Sequence, residues 1–245
     1  MEERRSLAKE VELAATPDEV WKAISTPEGM SLWFVPHEQV DGEVEADFGG
    51  GNTQAGLVLE QEPGRRVVYG APGPDGVPPM AIEFLVEGKD DGTTVLRLVQ
   101  SGFFGEDWEA EYDGFGRGWD MFLHNLASYF RHFAGLSAVG VVAFGFTARA
   151  GVEVWADLVA RLGADPVLGE RVRLTPEGVE PIEGVVDLRD ESVVGVRTEH
   201  GFYRFMVDDA HHMVNTTQYF YGVSVDRASR TAAWQSWIDG LAGNS

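Results

Sequence analysis

Apolar and polar positions change period several times along the chain, and each change marks an element. Residues 6–15, SLAKEVELAA, alternate at Val11 and Leu13, the pattern of a half-buried strand. TPDEVWKAIS (16–25) switches to helical spacing, with Val20, Trp21 and Ile24 on one face. Thr16 suits the N-cap, Pro17 the first helical position, and Glu19 completes a capping box. A second cap, Thr26-Pro27-Glu28, restarts a short helix through Met30 towards Trp33 and Phe34. From 38 to 101 the runs GEVEADF, AGLVLEQE, RRVVYGA, MAIEFLVEG and TTVLRLVQS are divided by PGRR, PGPDGVPP and KDDG, which predicts four or five antiparallel strands. A loop is expected over SGFFGEDWEAEYDG (101–114) and then a long helix. In that helix Trp119, Phe122, Leu123, Leu126, Tyr129, Phe130 and Phe133 recur at spacings of three and four. Strand, two helices, antiparallel strands and one long final helix describe an α+β helix-grip domain, a curved antiparallel sheet wrapped around its C-terminal helix.

Beyond residue 136 the pattern begins again. LSAVGVVAFGF (136–146) is too short to span a membrane and reads as a buried strand. ARAGVEVWADLVARLG (148–163) repeats the first helix, with Val154 and Trp155 in the places of Val20 and Trp21. AWQSWIDGLA (233–242) repeats GWDMFLHNLA (118–127), so that Trp234, Trp237, Ile238 and Leu241 stand for Trp119, Phe122, Leu123 and Leu126. Between them RVRLTP, IEGVVDLR, SVVGVRTE, GFYRFMVDD and NTTQYFYGVSVD supply further strands. The second Thr-Pro helix and its Trp-Phe pair have no equivalent, because the chain runs through GADPVLGE instead. The reading is a tandem of two helix-grip domains, 1–135 and 136–245, the second simplified. It requires Trp234 and Trp237 to be buried on a helix that crosses strands drawn from residues 170–225. A C-terminal extension that augments the first sheet is the alternative.

Composition narrows the partners. The 245 residues are 44% hydrophobic and 24% charged, an ordinary globular balance, and 40 acidic against 19 basic residues give a formal charge of -21. Such a surface repels phosphate backbones and anionic lipid, so neither nucleic acid nor membrane is an expected partner. Without cysteine there is no disulfide, thiolate nucleophile or Cys-based zinc site. MEERRSLAKEVEL lacks the apolar core of a signal peptide, which makes the cytoplasm the default location.

Motifs of catalysis are absent: there is no GxSxG and no phosphate-binding loop, and the GGGN run at Gly49–Asn52 reads as a strand turn. Adjacent His211 and His212 diverge on extended backbone, and His124 and His132 are eight apart, so neither pair has zinc-helix spacing. No metal and no cofactor is expected. The five carboxylates of GEDWEAEYDG suit a solvated loop before a helix N-terminus.

The segments ATPDEVWKAISTPEGMSLWF, LRLVQSGF and GWDMFLHNLASYF, in that order and at about that spacing, resemble the SRPBCC (START-like) superfamily, in the branch named for homology to the activator of Hsp90 ATPase. The resemblance covers roughly residues 5–135. It implies a cavity between sheet and C-terminal helix, with an apolar wall drawn from Trp33, Phe34, Phe84, Phe103, Trp119 and Phe122. His37, Arg97 and Tyr112 are the candidate inward polar groups, and Trp108 the ring on a lid over the mouth. Arg204, Tyr219 and Tyr221 are candidates for a smaller pocket in the second copy. The leading expectation is a binding protein for a small hydrophobic or aromatic molecule. An aromatase/cyclase-like enzyme acting on a polyketide-type substrate is the alternative from another class, and a chaperone-related interaction module ranks last. A homodimer stays open.

Overall fold

The computed structural model describes residues 5–40, 43–70, 80–103 and 108–243. They form two units: Met1–Ala46 with Gln54–Gly135, and Asp47–Thr53 with Leu136–Ser245. Each is an α+β helix-grip arrangement with an antiparallel sheet and a C-terminal helix.

In the first unit β1 (Arg5–Leu13) leads into α1 (Pro17–Ser25) and the single turn α2 (Pro27–Met30). The capping box is in place: Thr16 Oγ1 accepts from the Glu19 amide, and Glu19 accepts from the Thr16 amide at 2.9 Å. Three short strands, β2 (His37–Val40), β3 (Glu43–Asp47) and β4 (Thr53–Ala55), pair in one small sheet. β5 (Leu57–Glu62), β6 (Arg66–Gly70), β7 (Ala81–Gly88) and β8 (Thr94–Phe103) join β1 in the order β1-β8-β7-β6-β5. KDDG is the β7–β8 hairpin, with Gly92 at φ +84°. PGPDGVPP lies outside the described residues.

The long helix α3 spans Trp108–His132 and packs on β1 and β8. Its first turns replace the loop expected over residues 109–114. Gly114, Gly116 and Gly118 look like a break in sequence, yet Gly114 and Gly116 are buried, and tertiary packing overrides their poor helix propensity. Glu109 and Glu111 sit in the first turn, where the helix dipole favours negative charge.

The second unit runs β9 (Ala138–Phe146), α4 (Gly151–Leu162), β10 (Arg171–Leu174), β11 (Ile182–Arg189), β12 (Val193–Arg197), β13 (Gly201–Asp208), β14 (Met213–Tyr221) and α5 (Arg227–Ala242). The strands form one antiparallel sheet ordered β10-β11-β12-β13-β14-β9. The GGGN turn belongs to this unit, with Gly49, Gly50 and Gly51 all at positive φ. Beside it Asp47 accepts from Arg227 at 2.8 Å. Trp234, Trp237, Ile238 and Leu241 form the buried face of α5, against Tyr203 and Phe205 of β13. Among the described residues no helix is long and apolar enough to cross a membrane.

Candidate functional site

Alternation along β8 decides what faces the interior of the first unit. Thr94, Leu96, Leu98 and Gln100 are buried, while Val95 and Val99 are less so and Arg97 is exposed. Arg97 therefore is not an inward polar group; a strand's period of two carries it to the opposite face from Leu96 and Leu98. Past Gln100 the ladder slips. Ser6 pairs with Ser101 and Arg5 with Phe103, leaving Gly102 as an unpaired residue at φ +110°. This bulge reverses the parity and returns Phe103, fully buried, to the interior.

Five of the expected rings converge. Trp33 and Phe34 follow α2, Phe84 comes from β7, and Trp119 and Phe122 lie one helical turn apart on α3. Phe34 stacks nearly parallel on Trp119 with centroids 5.3 Å apart, and Phe122 meets Phe34 edge-on at 4.5 Å. Phe84 meets Trp33 and Trp119 edge-on, each at 6.1 Å. Trp33 and Phe84 are inaccessible to solvent, whereas Phe34 and Phe122 are half-buried. Trp33 is further fixed by its indole N–H, which donates to the Ala23 carbonyl at 2.9 Å.

Polar groups around the cluster are few. The Trp119 indole donates to Oε1 of Gln100, and Gln100 Nε2 lies 3.3 Å from the Met80 sulfur. Asn125, also buried, donates to the Trp33 carbonyl at 3.4 Å. Neither Gln100 nor Asn125 was among the sequence candidates. The signal for Gln100 was its inward parity with Leu96 and Leu98, obscured because the LRLVQ run drew attention to its charge instead. Asn125 sits on the α3 stripe three residues after Phe122, where an apolar-only count passes over it.

His37 adjoins the cluster, its ring 5.9 Å from Phe34. Nδ1 lies 2.7 Å from the Val35 carbonyl oxygen. A carbonyl only accepts, so Nδ1 carries the proton and Nε2 of the neutral ring keeps an acceptor lone pair. Burial pushes the imidazole pKa below its ordinary value, and the bond to Val35 opposes that shift. Tyr69, edge-on to Phe84 at 6.3 Å, donates to the Ile24 carbonyl at 2.7 Å, and burial raises its hydroxyl pKa to about 12.

The remaining candidates fall elsewhere. Phe103, Tyr112 and Phe115 make a separate group, with Tyr112 and Phe115 at 5.5 and 5.8 Å from Phe103. Trp108 begins α3, but its side chain lies outside the described residues. In the second unit Arg204 pairs opposite Thr217, next to the Phe205–Thr216 pair that faces α5. Arg204, Tyr219 and Tyr221 therefore point away from α5, and they do not line a pocket beneath that helix. Arg204 is held by Asp187, and Tyr219 and Tyr221 stack in parallel at 6.5 Å. Concave features of that unit include an open groove of about 860 Å³ beside α4 and α5 and a smaller cleft of about 360 Å³ near Tyr203.

Residues 14–131 match the family described as activator of Hsp90 ATPase homolog 1-like protein. No curated protein matches the chain in sequence. Solved structures of similar fold include the di-domain ARO/CYC BexL from the BE-7585A biosynthetic pathway. It is 13% identical, covers 97% of this chain and 98% of its own, and has a TM-score of 0.46. DynU16, a putative protein in the dynemicin biosynthetic locus, is 17% identical over 97% and 95% of the two chains, with a TM-score of 0.43. MLL2253 from Mesorhizobium loti is 23% identical over 51% of this chain and 95% of its own, with a TM-score of 0.42.

Proposed function

We propose that the first unit, whose residues 14–131 match the family described as activator of Hsp90 ATPase homolog 1-like protein, binds a small hydrophobic or aromatic molecule between its sheet and α3. The observation that carries the reading is the Phe34–Trp119 stack, two rings 5.3 Å apart and 13° from parallel, with one of them half-buried. Aromatic faces at this separation attract by dispersion and quadrupole, and a flat ligand that displaces Phe34 recovers the same contact on Trp119. Phe34 and Phe122 are the movable wall, and Trp33 and Phe84 the fixed one. Gln100 beside Trp119 and the free lone pair of His37 Nε2 are the polar groups that orient the guest, the mixture expected of a ligand site.

Native mass spectrometry of the purified chain, with thermal shifts for fatty acids, flavonoids and aromatic polyketides, tests this. A retained molecule, or a rise in Tm with a flavonoid that is lost in Trp119→Leu, is the expected result. No bound mass and no shift with any of the three classes overturns it. Turnover of a bound compound, abolished in His37→Ala, would replace binding with catalysis as the activity of this site.

A further inference from the structure

Within the second unit, the sheet face that meets α5 carries two polar side chains among its apolar ones. Thr216 and Gln218 are wholly buried. Neither Thr216 Oγ1 nor either amide atom of Gln218 has a hydrogen-bond partner among the described residues. The register shows which way they face. Gln218 lies across from Tyr203 and Val141, and Thr216 across from Phe205 and Ala143. Those four belong to the core cluster of Trp234 and Trp237. Buried polar groups in folded proteins are almost always paired, because an amide stripped of water and given nothing in return destabilises the fold. Gln218 therefore calls for a partner that the described residues do not supply.

An opening stands next to it. The cleft of about 360 Å³ has Tyr203 and Phe220 in its wall. Tyr203 is the residue directly opposite Gln218, and Phe220 is two positions further along the same face. Its volume is at the small end of the range of ligand sites, enough for one bicyclic molecule. Arg230 lies over the Phe220 ring at 4.6 Å and is already paired with Glu180. Glu183 is likewise paired, with Arg173, and Glu199 adds negative charge to the lining, so among the described residues the cleft offers an anion no unpaired cation.

We propose that this cleft is a second small-molecule site. It takes a neutral planar compound with a hydrogen-bond donor and acceptor side by side on one edge, as in a lactam or a primary amide. The Tyr203 side chain turns aside, the flat body lies against Phe220, and the polar edge pairs with the amide of Gln218, which offers one acceptor and a donor. Two complementary bonds form where none existed. A hydrocarbon of the same outline forms neither and leaves the amide dry, so discrimination comes from that edge.

The test uses the full chain, with 2-quinolone as the lactam and naphthalene as the shape control. The Gln218 side-chain NH2 resonance is assigned by its absence in Gln218→Leu or, should that variant not fold, in Gln218→Met. The expected result is that 2-quinolone moves this resonance and binds about tenfold more tightly than naphthalene, two neutral hydrogen bonds being worth roughly that factor. The preference disappears in the variant, whose Tm is unchanged or higher. A resonance that 2-quinolone leaves in place, or a preference that survives the substitution, overturns the proposal. So does a crystal soaked in 2-quinolone that shows only ordered water on Gln218. Binding at the Phe34–Trp119 cluster is read instead by its loss in Trp119→Leu, so the two sites are separated by their own variants.

Discussion

The guanidinium of Arg204 meets the carboxylate of Asp187 edge to edge, with Nη1 2.7 Å from Oδ1 and Nη2 2.9 Å from Oδ2. The arginine side chain is inaccessible to solvent, and its guanidinium carbon lies 4.5 Å from the centre of the Phe202 ring. Space for it exists because the residue opposite in register is Gly195, where a Cβ would collide with Nη1. Such a pair stabilises little compared with apolar residues of similar volume, but stranding one partner is costly. Asp187→Ala should lower the unfolding free energy by about 3–5 kcal/mol, while Arg204→Met combined with Asp187→Leu costs much less. Urea denaturation of the single and double variants measures this. A single-variant loss below about 1 kcal/mol, the level of an exposed pair, would show that the guanidinium is solvated.

The glycines of α3 make the opposite kind of prediction. Gly118 is helical, and a Cβ there would have no heavy atom within 4 Å. Gly118→Ala removes backbone freedom from the unfolded chain and adds no clash. It should therefore stabilise the protein by about 0.5–1 kcal/mol, read as an increase in the urea midpoint with an unchanged slope. A destabilised Gly118→Ala would place a neighbour against that face of the helix.

The half-buried imidazole of His37 sets a pH dependence. Its folded pKa is below the unfolded value of about 6.5, so the unfolded chain takes up the proton first as pH falls. The stability contributed by keeping this ring neutral is complete above pH ~6.5 and is lost as pH falls from there through the folded pKa. In His37→Gln the slope of unfolding free energy against pH over that interval should be reduced. Chemical denaturation of both proteins between pH 7.5 and about 5 gives the comparison, and an equal slope in both would contradict a neutral half-buried His37.

Elements with a clean period were legible in the sequence, and those that depend on a neighbour were not. The runs IEGVVDLR, GFYRFMVDD and NTTQYFYGVSVD became β11, β13 and β14, because alternation and turn residues are local properties. Trp234 and Trp237 were assigned to a buried helix face by their likeness to Trp119 and Phe122, and they are buried. The start of α3 was not legible, since three glycines in five residues outweigh a helical period until packing is known. At the site, the grouping of Trp33, Phe34 and Trp119 was an implication of the family resemblance, and Arg97 and Gln100 exchanged roles. A charged residue attracts attention whichever way it points, and the pleat alone says which of the two faces inward. The Asp187–Arg204 and Gln218–Tyr203 relationships depend on strand register, which no short window contains.

The two copies of the first helix are capped by different means, and this separates their stabilities. α1 carries its cap in sequence, with Thr16 accepting from Glu19. α4 begins after Ala150, which has no capping side chain, and its first amide, Gly151, instead donates to Asp209 Oδ1 at 2.7 Å. Asp209 follows β13 in the turn to β14, so the second helix is capped by tertiary structure. Gly151 has to be glycine for this, because a Cβ would stand 2.7 Å from that carboxylate oxygen. Thr16→Ala and Asp209→Ala should each cost about 1 kcal/mol, the usual loss of an N-cap. Their reach differs. Losing Thr16 loosens α1 alone, whereas losing Asp209 frees both the start of α4 and the β13–β14 turn that it ties down. Amide hydrogen exchange should therefore show faster exchange confined to α1 in Thr16→Ala, but in both α4 and residues 208–213 in Asp209→Ala. Exchange that rises only at Gly151 and its neighbours would mean that the turn holds its shape without the helix.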